Sequence, residues 1–217
     1  SAEDEIHEYD LSVAWDISSA VWQQLFSVAS EETAPQGLFF KPDGSKVYII
    51  GQQNTEINEY DLSVAWDISS AVWQQLFSVS TEEVAPSGLF FKPDGLKMYI
   101  IGSAEDEINE YDLSVAWDIS SAVWQQLFSV TSKETFPNGL FFKPDGSKVY
   151  SIGQQNAEIH EYDLSVAWDI SSAVWQQLFS VASEETAPQG LFFKPDGNKL
   201  YIIGTQADEI NEYNLFI

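Results

Sequence analysis

The segment EYDLSVAWDISSAVWQQLFSV occurs four times in this chain, letter for letter, and constrains the fold more than any other feature. The copies span residues 8–28, 59–79, 110–130 and 161–181, so the period is 51 residues. A fifth, shorter copy begins at Glu212. A fixed period of this length is typical of repeat architectures, in which each repeat is one supersecondary unit. The 217 residues are therefore expected to form one object built from similar units.

Each repeat reads as four short β-strands. In the repeat at residues 35–79, apolar and aromatic runs at 38–40, 47–50, 56–62 and 72–79 predict the strands. The first two are joined by KPDGSK, in which proline and glycine predict a tight turn. Four short strands joined by turns are the plan of a propeller blade, and they suit a leucine-rich repeat or a β-solenoid less well.

The run PxGLFFKPDGxKxYIIG followed by EINEYDLS resembles the blades of YVTN- and NHL-type β-propellers. The resemblance covers essentially the whole chain and implies an all-β propeller of four-stranded antiparallel blades. It implies one domain, 1–217, with blades at approximately 35–79, 86–130 and 137–181, and a last blade at 188–215 plus 1–28. It says little about activity, because this architecture serves binding, scaffolding and hydrolysis alike.

Ring closure is the open question of the fold. We expect about four blades per chain, with strands from the N- and C-terminal parts shared in one blade, because closure removes exposed strand edges. Two alternatives remain. One is an eight-bladed ring made from two chains, and the other is an open assembly in which unpaired terminal strands drive self-association.

The charge balance excludes several classes of partner. The chain has 34 acidic residues against 9 lysines, with no arginine and no cysteine, and its formal net charge is −25. This balance argues against nucleic-acid binding, which requires basic side chains that displace counterions from phosphates, and against binding to anionic membrane surfaces. Without an apolar run of about 18 residues, no membrane span is predicted. A protein or glycan partner fits better, and so does an extracellular or cell-surface location.

The repeats differ mainly in two loops that a propeller places on one face. Binding residues concentrate on loops held by a rigid scaffold, which favours a polar, acidic recognition face. The alternative is drift in loops that packing does not constrain. The candidate ligand-binding residues are Gln36, Ser87, Asn138 and Gln189, expected around one mouth of the central channel, and Gln52, Gln53, Asn54, Glu105 and Asp106 in the second loop.

Other recurring residues are interpreted as structural. Glu59 and its copies lie mid-strand, and a buried carboxylate needs a partner, for which the lysines beside each PDG turn are candidates. Both tryptophans of each repeat, Trp66 and Trp73 in one copy, are expected in the core, with sugar stacking as the alternative. His7 and His160 are interpreted as polar residues of the surface or of a strand.

No catalytic set is predicted, because catalysis requires different groups in distinct roles and the repeats present the same groups several times. We therefore expect a non-enzymatic binding or self-assembly scaffold. The alternatives are a structural, filament-forming or engineered propeller without a ligand, and a metal-dependent hydrolase. No cofactor is predicted. Calcium is the alternative, with Glu31, Glu32, Glu82, Glu83, Glu134, Glu184 and Glu185 as oxygen ligands.

Overall fold

A computed structural model describes residues 4–206 and 209–215 of the chain. Its strands are β1 (Glu5–Leu11), β2 (Ala20–Ser27), β3 (Pro35–Phe40), β4 (Lys46–Gly51), β5 (Glu56–Leu62), β6 (Ala71–Ser78), β7 (Pro86–Phe91), β8 (Lys97–Gly102), β9 (Glu107–Leu113), β10 (Ala122–Ser129), β11 (Pro137–Phe142), β12 (Lys148–Gly153), β13 (Glu158–Leu164), β14 (Ala173–Ser180), β15 (Pro188–Phe193), β16 (Lys199–Gly204) and β17 (Ile210–Asn214). Single 3₁₀ turns lie at Ile17–Ser19, Ile68–Ser70, Ile119–Ser121 and Ile170–Ser172.

The strands form antiparallel sheets, one per repeat. Blade 1 (β3–β6), blade 2 (β7–β10) and blade 3 (β11–β14) have four strands each, paired in sequence order. The C-terminal sheet (β15–β17) has three strands and the N-terminal sheet (β1–β2) has two. The predicted all-β propeller of four-stranded antiparallel blades is confirmed. The strand predicted at 56–62 agrees with β5 at both ends, and the strand predicted at 38–40 begins earlier, at Pro35.

The two terminal sheets meet without sharing a strand. Strand sharing within the last blade was expected, and this detail is wrong: β2 pairs with β1, while β17 pairs with β16. A strand partner within the same repeat costs less loop-closure entropy than one at the far end of the chain. Of the segment 1–28 predicted to join the last blade, residues 1–3 lie outside the described residues.

A tyrosine hydroxyl links blade 1 to blade 2, blade 2 to blade 3, and the C-terminal sheet to the N-terminal sheet. Tyr48 of blade 1 donates to the carbonyl of Trp117 in blade 2 at 2.6 Å. Tyr201 of the C-terminal sheet makes the same bond to Trp15 of the N-terminal sheet at 3.3 Å. Other hydrogen bonds join the N-terminal sheet to blade 1 (Ile68 to Glu8) and blade 3 to the C-terminal sheet (Asn138 to Pro188). The order around the ring is therefore N-terminal sheet, blades 1, 2 and 3, C-terminal sheet, and back to the N-terminal sheet.

The hairpin turn between the first two strands of each blade supports one of the two tryptophans. In blade 2, Gly95 has φ +75°, and a Cβ added there would lie 2.4 Å from the indole of Trp117. The backbone N–H of Trp117 donates to the carbonyl of Gly95 at 3.0 Å, and Trp117 itself has φ +65°. This uncommon left-handed conformation occurs at the residue whose carbonyl accepts the tyrosine hydroxyl of the preceding blade.

The hydrophobic core lies between blades. Phe91, Met98 and Tyr111 of blade 2 pack with Tyr48 and Ile57 of blade 1 in one buried cluster. Blades 2 and 3 therefore bury both faces of their inner three strands, as the sequence predicted for the first two. In blade 1 the first strand is more open, and Leu38 is 49% exposed.

A buried ion pair recurs between the second and third strands. Lys97 Nζ lies 2.5 Å from Glu110 Oε1 and 2.6 Å from Asp112 Oδ1, and Glu110 is 1% exposed. The second oxygen of Glu110 accepts the backbone N–H of Ile170 in blade 3 at 3.1 Å. The predicted partnership between these mid-strand glutamates and the lysines beside the PDG turns is confirmed, and the same carboxylate also connects two blades.

Candidate binding surfaces

An apolar ladder lies on the outermost strand of each repeat. In blade 2, Val123, Trp124 and Leu127 are 61, 41 and 44% exposed. We call the full set the rim ladder: Val21, Trp22, Leu25, Val72, Trp73, Leu76, Val123, Trp124, Leu127, Val174, Trp175 and Leu178. Contiguous exposed apolar patches on a soluble protein mark interaction sites, so the rim ladder is a candidate binding surface.

The rim tryptophans are fixed in orientation although they are exposed. The indole N–H of Trp124 donates to Asn109 Oδ1 at 3.0 Å, and that of Trp73 donates to Asn58 at the same distance. The expectation that both tryptophans of a repeat lie in the core is wrong for these residues, because no further strand covers the outer one. It is confirmed for Trp117 and Trp168, which are 9 and 8% exposed. It is wrong for the first tryptophans of the other two copies, Trp66 and Trp15, which are 52 and 48% exposed and line the central cavity.

Sequence reasoning missed the rim ladder. Its signal is the pair of glutamines in VWQQLF, which interrupts simple alternation. The register of β10 against β9 shifts between Trp124 and Gln126, so Gln125 is the extra residue of a bulge. Bulges re-aim neighbouring side chains.

The predicted channel residues do surround one cavity. Gln36, Ser87, Asn138 and Gln189 line a central cavity of about 550 Å³ together with the Leu and Phe residues of the inner strands. Ser87 and Asn138 are buried, and each donates to a carbonyl of the next inner strand: Ser87 to Pro137 at 3.1 Å and Asn138 to Pro188 at 3.2 Å. These two side chains thus join adjacent blades.

The second group of predicted residues lies apart from the channel lining. Asn54 is exposed and donates its side-chain amide to the carbonyl of Glu31 at 2.9 Å, while Gln53 is exposed and its backbone N–H reaches Glu32 Oε1 at 3.2 Å. Gln52 and Asp106 are half-buried, so the structure separates Gln52, Gln53, Asn54, Glu105 and Asp106 from the channel cavity.

A buried glutamate organises each of these loops. Glu83 is fully buried, and its Oε1 accepts the backbone N–H groups of Ala85 at 2.8 Å and Ala104 at 3.2 Å. Its carboxyl group lies where a side chain on Gly102 would be. Burial and, to a smaller extent, the neighbouring Glu105 carboxyl group raise the pKa of Glu83 to about 7, against the lowering effect of the two backbone N–H groups.

The calcium alternative involves these same glutamates. Among the residues that the structure describes, no group of three or more histidines, aspartates or glutamates is arranged to hold a metal ion. Within the described ranges there is also no helix long and apolar enough to cross a membrane.

Blade 3 differs from the others at three positions that meet in space. Lys133 stands where Glu82 stands in blade 2, Ser151 replaces Ile100, and His160 replaces Asn109. Ser151 and His160 are directly opposite each other on β12 and β13. The pair has as many side-chain heavy atoms as the isoleucine–asparagine pair that it replaces. His160 is 1% exposed, so a surface position is wrong for it, although it does lie in a strand.

The same differences change what surrounds the rim tryptophan of blade 3. Trp175 donates its indole N–H to His160 Nδ1 at 3.4 Å, and Lys133 Nζ lies 4.2 Å from the centre of its ring. Burial and the nearby ammonium group of Lys133 lower the pKa of His160. In blade 2 the corresponding Glu82 instead accepts the hydroxyl of Tyr111 at 3.2 Å.

Comparison with known proteins supports the fold. No protein-family profile and no curated protein sequence matches this chain. Among solved structures, a protein from Lactobacillus plantarum superposes with a TM-score of 0.62 at 12% identity, over 98% of this chain and 61% of that one. The periplasmic gluconolactonase of Pseudomonas aeruginosa superposes with a TM-score of 0.57 at 13% identity, over 97% of this chain and 59% of that one.

The β-propeller domain of Cps50 (Swd1) from Myceliophteria thermophila superposes with a TM-score of 0.52 at 12% identity, over 84% of this chain and 54% of that one. The chain therefore spans about half to three fifths of the length of these structures. At such identities the similarity concerns the propeller fold alone.

Proposed function

We propose that this chain is a non-enzymatic binding scaffold that presents the rim ladder, once per repeat, to a protein or glycan partner. The observation that carries the proposal is that Trp73 and Trp124 are exposed and yet fixed in orientation. Each ring is about two fifths exposed while its N–H is held by a buried asparagine. A preorganised aromatic surface loses little conformational entropy on binding.

Repetition supports this proposal. Identical sites at fixed spacing convert the second contact of a multivalent partner into an intramolecular one, which strengthens binding without new contacts. The buried network of Lys97 and Glu110, with its copies, keeps those spacings rigid.

The absence of catalysis is part of the proposal. Repeated blades offer the same groups several times, whereas a reaction needs distinct roles at one point. The groups that differ most between blades, Ser151 and His160, are buried in the sheet of blade 3 and do not line the central cavity. One structural neighbour is named a gluconolactonase, and for this chain we expect no hydrolysis of sugar lactones.

The test uses a Trp73→Ala/Trp124→Ala variant, with Phe136→Ala as the matched control because Phe136 is an exposed aromatic residue in a loop outside the rim ladder. On a glycan array and against basic peptides, the double variant should bind at least tenfold more weakly than the control. Equal binding by both variants would remove the rim from the proposal. Turnover of gluconolactone above the buffer rate would overturn its non-enzymatic part.

A further inference from the structure

We propose that Trp73 and Trp124 each form half of a site for an alkylammonium group, with the carboxylates of Glu31 and Glu82 as the other halves. This inference rests on the proposed function of the rim ladder and names the chemistry that two of its positions recognise. Blade 3 points to that chemistry, because there the protein places one of its own ammonium groups at the corresponding position.

The internal occupant is Lys133, whose Nζ lies 4.2 Å from the centre of the Trp175 ring. Glu82 precedes Trp124, and Glu31 precedes Trp73, by the same number of residues that separates Lys133 from Trp175. Glu82 and Glu31 therefore occupy the loop position from which Lys133 reaches Trp175, and each places a carboxylate where blade 3 has a cation. In blades 1 and 2 the cation has to come from outside the chain.

Both halves of each site are held in place before binding. The hydroxyl of Tyr111 donates to Glu82 Oε2 at 3.2 Å, and that of Tyr60 donates to Glu31 Oε2 at the same distance. The indole N–H of Trp124 is bound to Asn109, so the ring cannot turn away from a cation at its face. A cation over an indole ring is attracted by the electrons of the ring face, and a carboxylate adds a charge-assisted hydrogen bond.

The charge of the whole molecule favours the same ligand. A net charge of −25 raises the local concentration of cations near the surface. The ammonium group can belong to a free amine or to a lysine side chain of a partner protein, and the two sources share the recognition described here.

The experiment follows the indole N–H signals of ¹⁵N-labelled protein by NMR during titration with n-butylammonium chloride, with sodium chloride at equal ionic strength as the control. Saturable shifts should appear at Trp73 and Trp124 and be absent at Trp175. A second titration uses tetralysine. At least tenfold tighter binding of tetralysine assigns the site to a lysine-bearing partner, while equal affinity per ammonium group assigns it to free amines.

Charge-swap variants give the sharper test. Glu82→Lys should supply an internal occupant and abolish the response of Trp124 while that of Trp73 persists. Lys133→Glu should make Trp175 responsive, and Glu82→Gln should weaken binding at Trp124 several-fold. The sequence of blade 3 shows that the scaffold accommodates lysine at this loop position.

Two results would overturn the inference: shifts at Trp175 equal to those at Trp124 in the unmodified protein, or an unchanged Trp124 response in Glu82→Lys. If no indole responds to ammonium groups but Trp73→Ala/Trp124→Ala still loses its partner, the inference fails and the proposed function stands. If ammonium binding is observed and that variant keeps its partner, the proposed function fails instead.

Discussion

Blade 2 and blade 3 have the same strand plan but differ in side chains at a few positions. Their third and fourth strands come from the same repeated segment, and both hold a lysine between a mid-strand glutamate and an aspartate. They differ at the loop before the first strand, where one has Glu82 and the other Lys133, and at the pair formed by Ser151 and His160.

The comparison teaches that the scaffold and the surface are controlled by different residues. The repeated segment supplies the carboxylates of the ion pair, the rim tryptophan and a glutamine, Gln126, whose side chain donates to Asp169 of the next blade. Residues outside it differ between the blades: Lys133 lies over the ring of Trp175, whereas blade 2 has Glu82 at that loop position.

Lys97→Met should destabilise the protein by about 3–5 kcal/mol, because it leaves the carboxylate of Glu110 buried without its counter-ion. Lys148→Met is the matched variant in blade 3, where Glu161 is 19% exposed against 1% for Glu110, and its loss should be clearly smaller. Denaturant midpoints measure both. Equal losses would show that the two networks are equivalent and that burial does not distinguish them.

Gly95→Ala should lower the free energy of unfolding by about 2–4 kcal/mol. A left-handed backbone is unfavourable for alanine, and the new methyl group meets the indole of Trp117. Gly197 has nearly the same φ, +74°, with nothing within 4 Å of an added Cβ. Its alanine variant should lose only the backbone part, about 1–2 kcal/mol. Thermal unfolding of the two variants separates strain from steric conflict, and a larger loss at Gly197 would contradict this account.

His160→Asn alone should lower the free energy of unfolding by about 1–2 kcal/mol, because the smaller side chain leaves a cavity beside Ser151. Ser151→Ile alone should crowd the histidine and cost about 1–3 kcal/mol. The double variant recreates the pair of blade 2 and should recover most of the summed loss. A double-mutant cycle measures this coupling, and purely additive losses would mean that the two side chains do not compensate in size.

The two blades should respond to pH in opposite directions near these groups. The pKa of His160 is lowered in the folded protein, so folding favours its neutral form. Its contribution is present above the unfolded pKa of about 6.5 and is lost as the pH falls below it. His160→Asn should remove this acid sensitivity, which amide hydrogen exchange in β13 can report. If the protection of the β13 amides in the unmodified protein is the same at pH 7 and pH 5, His160 is not the source of acid sensitivity.

Glu83 should show the reverse dependence. Its folded-state pKa is raised to about 7 from the ordinary 4.5, so the folded state binds the proton more tightly. The associated stability is present at low pH and is lost as the pH rises through about 7. Glu105→Asn copies Asn54 of blade 1 and should reduce this loss by about 1 kcal/mol or less. Amide hydrogen exchange of the loop after β8 measures this pH dependence. If stability falls with pH equally steeply in Glu105→Asn and in the unmodified protein, the pair of carboxyl groups is not its cause.

The sequence by itself predicted most of the scaffold. The 51-residue period, the PDG turns and the short apolar runs predicted four-stranded blades, because these signals depend on local backbone preferences that every copy repeats. The ion pairs between lysines and mid-strand glutamates also followed from the sequence, since a carboxylate in a buried strand needs a counter-charge wherever the strand is placed.

Only the tertiary structure decided which surfaces face solvent and how the ends meet. Trp73 and Trp117 come from the same repeated segment, yet one is exposed and the other buried, because exposure depends on the next blade and on a bulge rather than on residue type. The link between Tyr201 and Trp15 likewise joins residues from opposite ends of the chain. Local preferences specify a blade, whereas the contacts between blades specify the ring and the surface it presents.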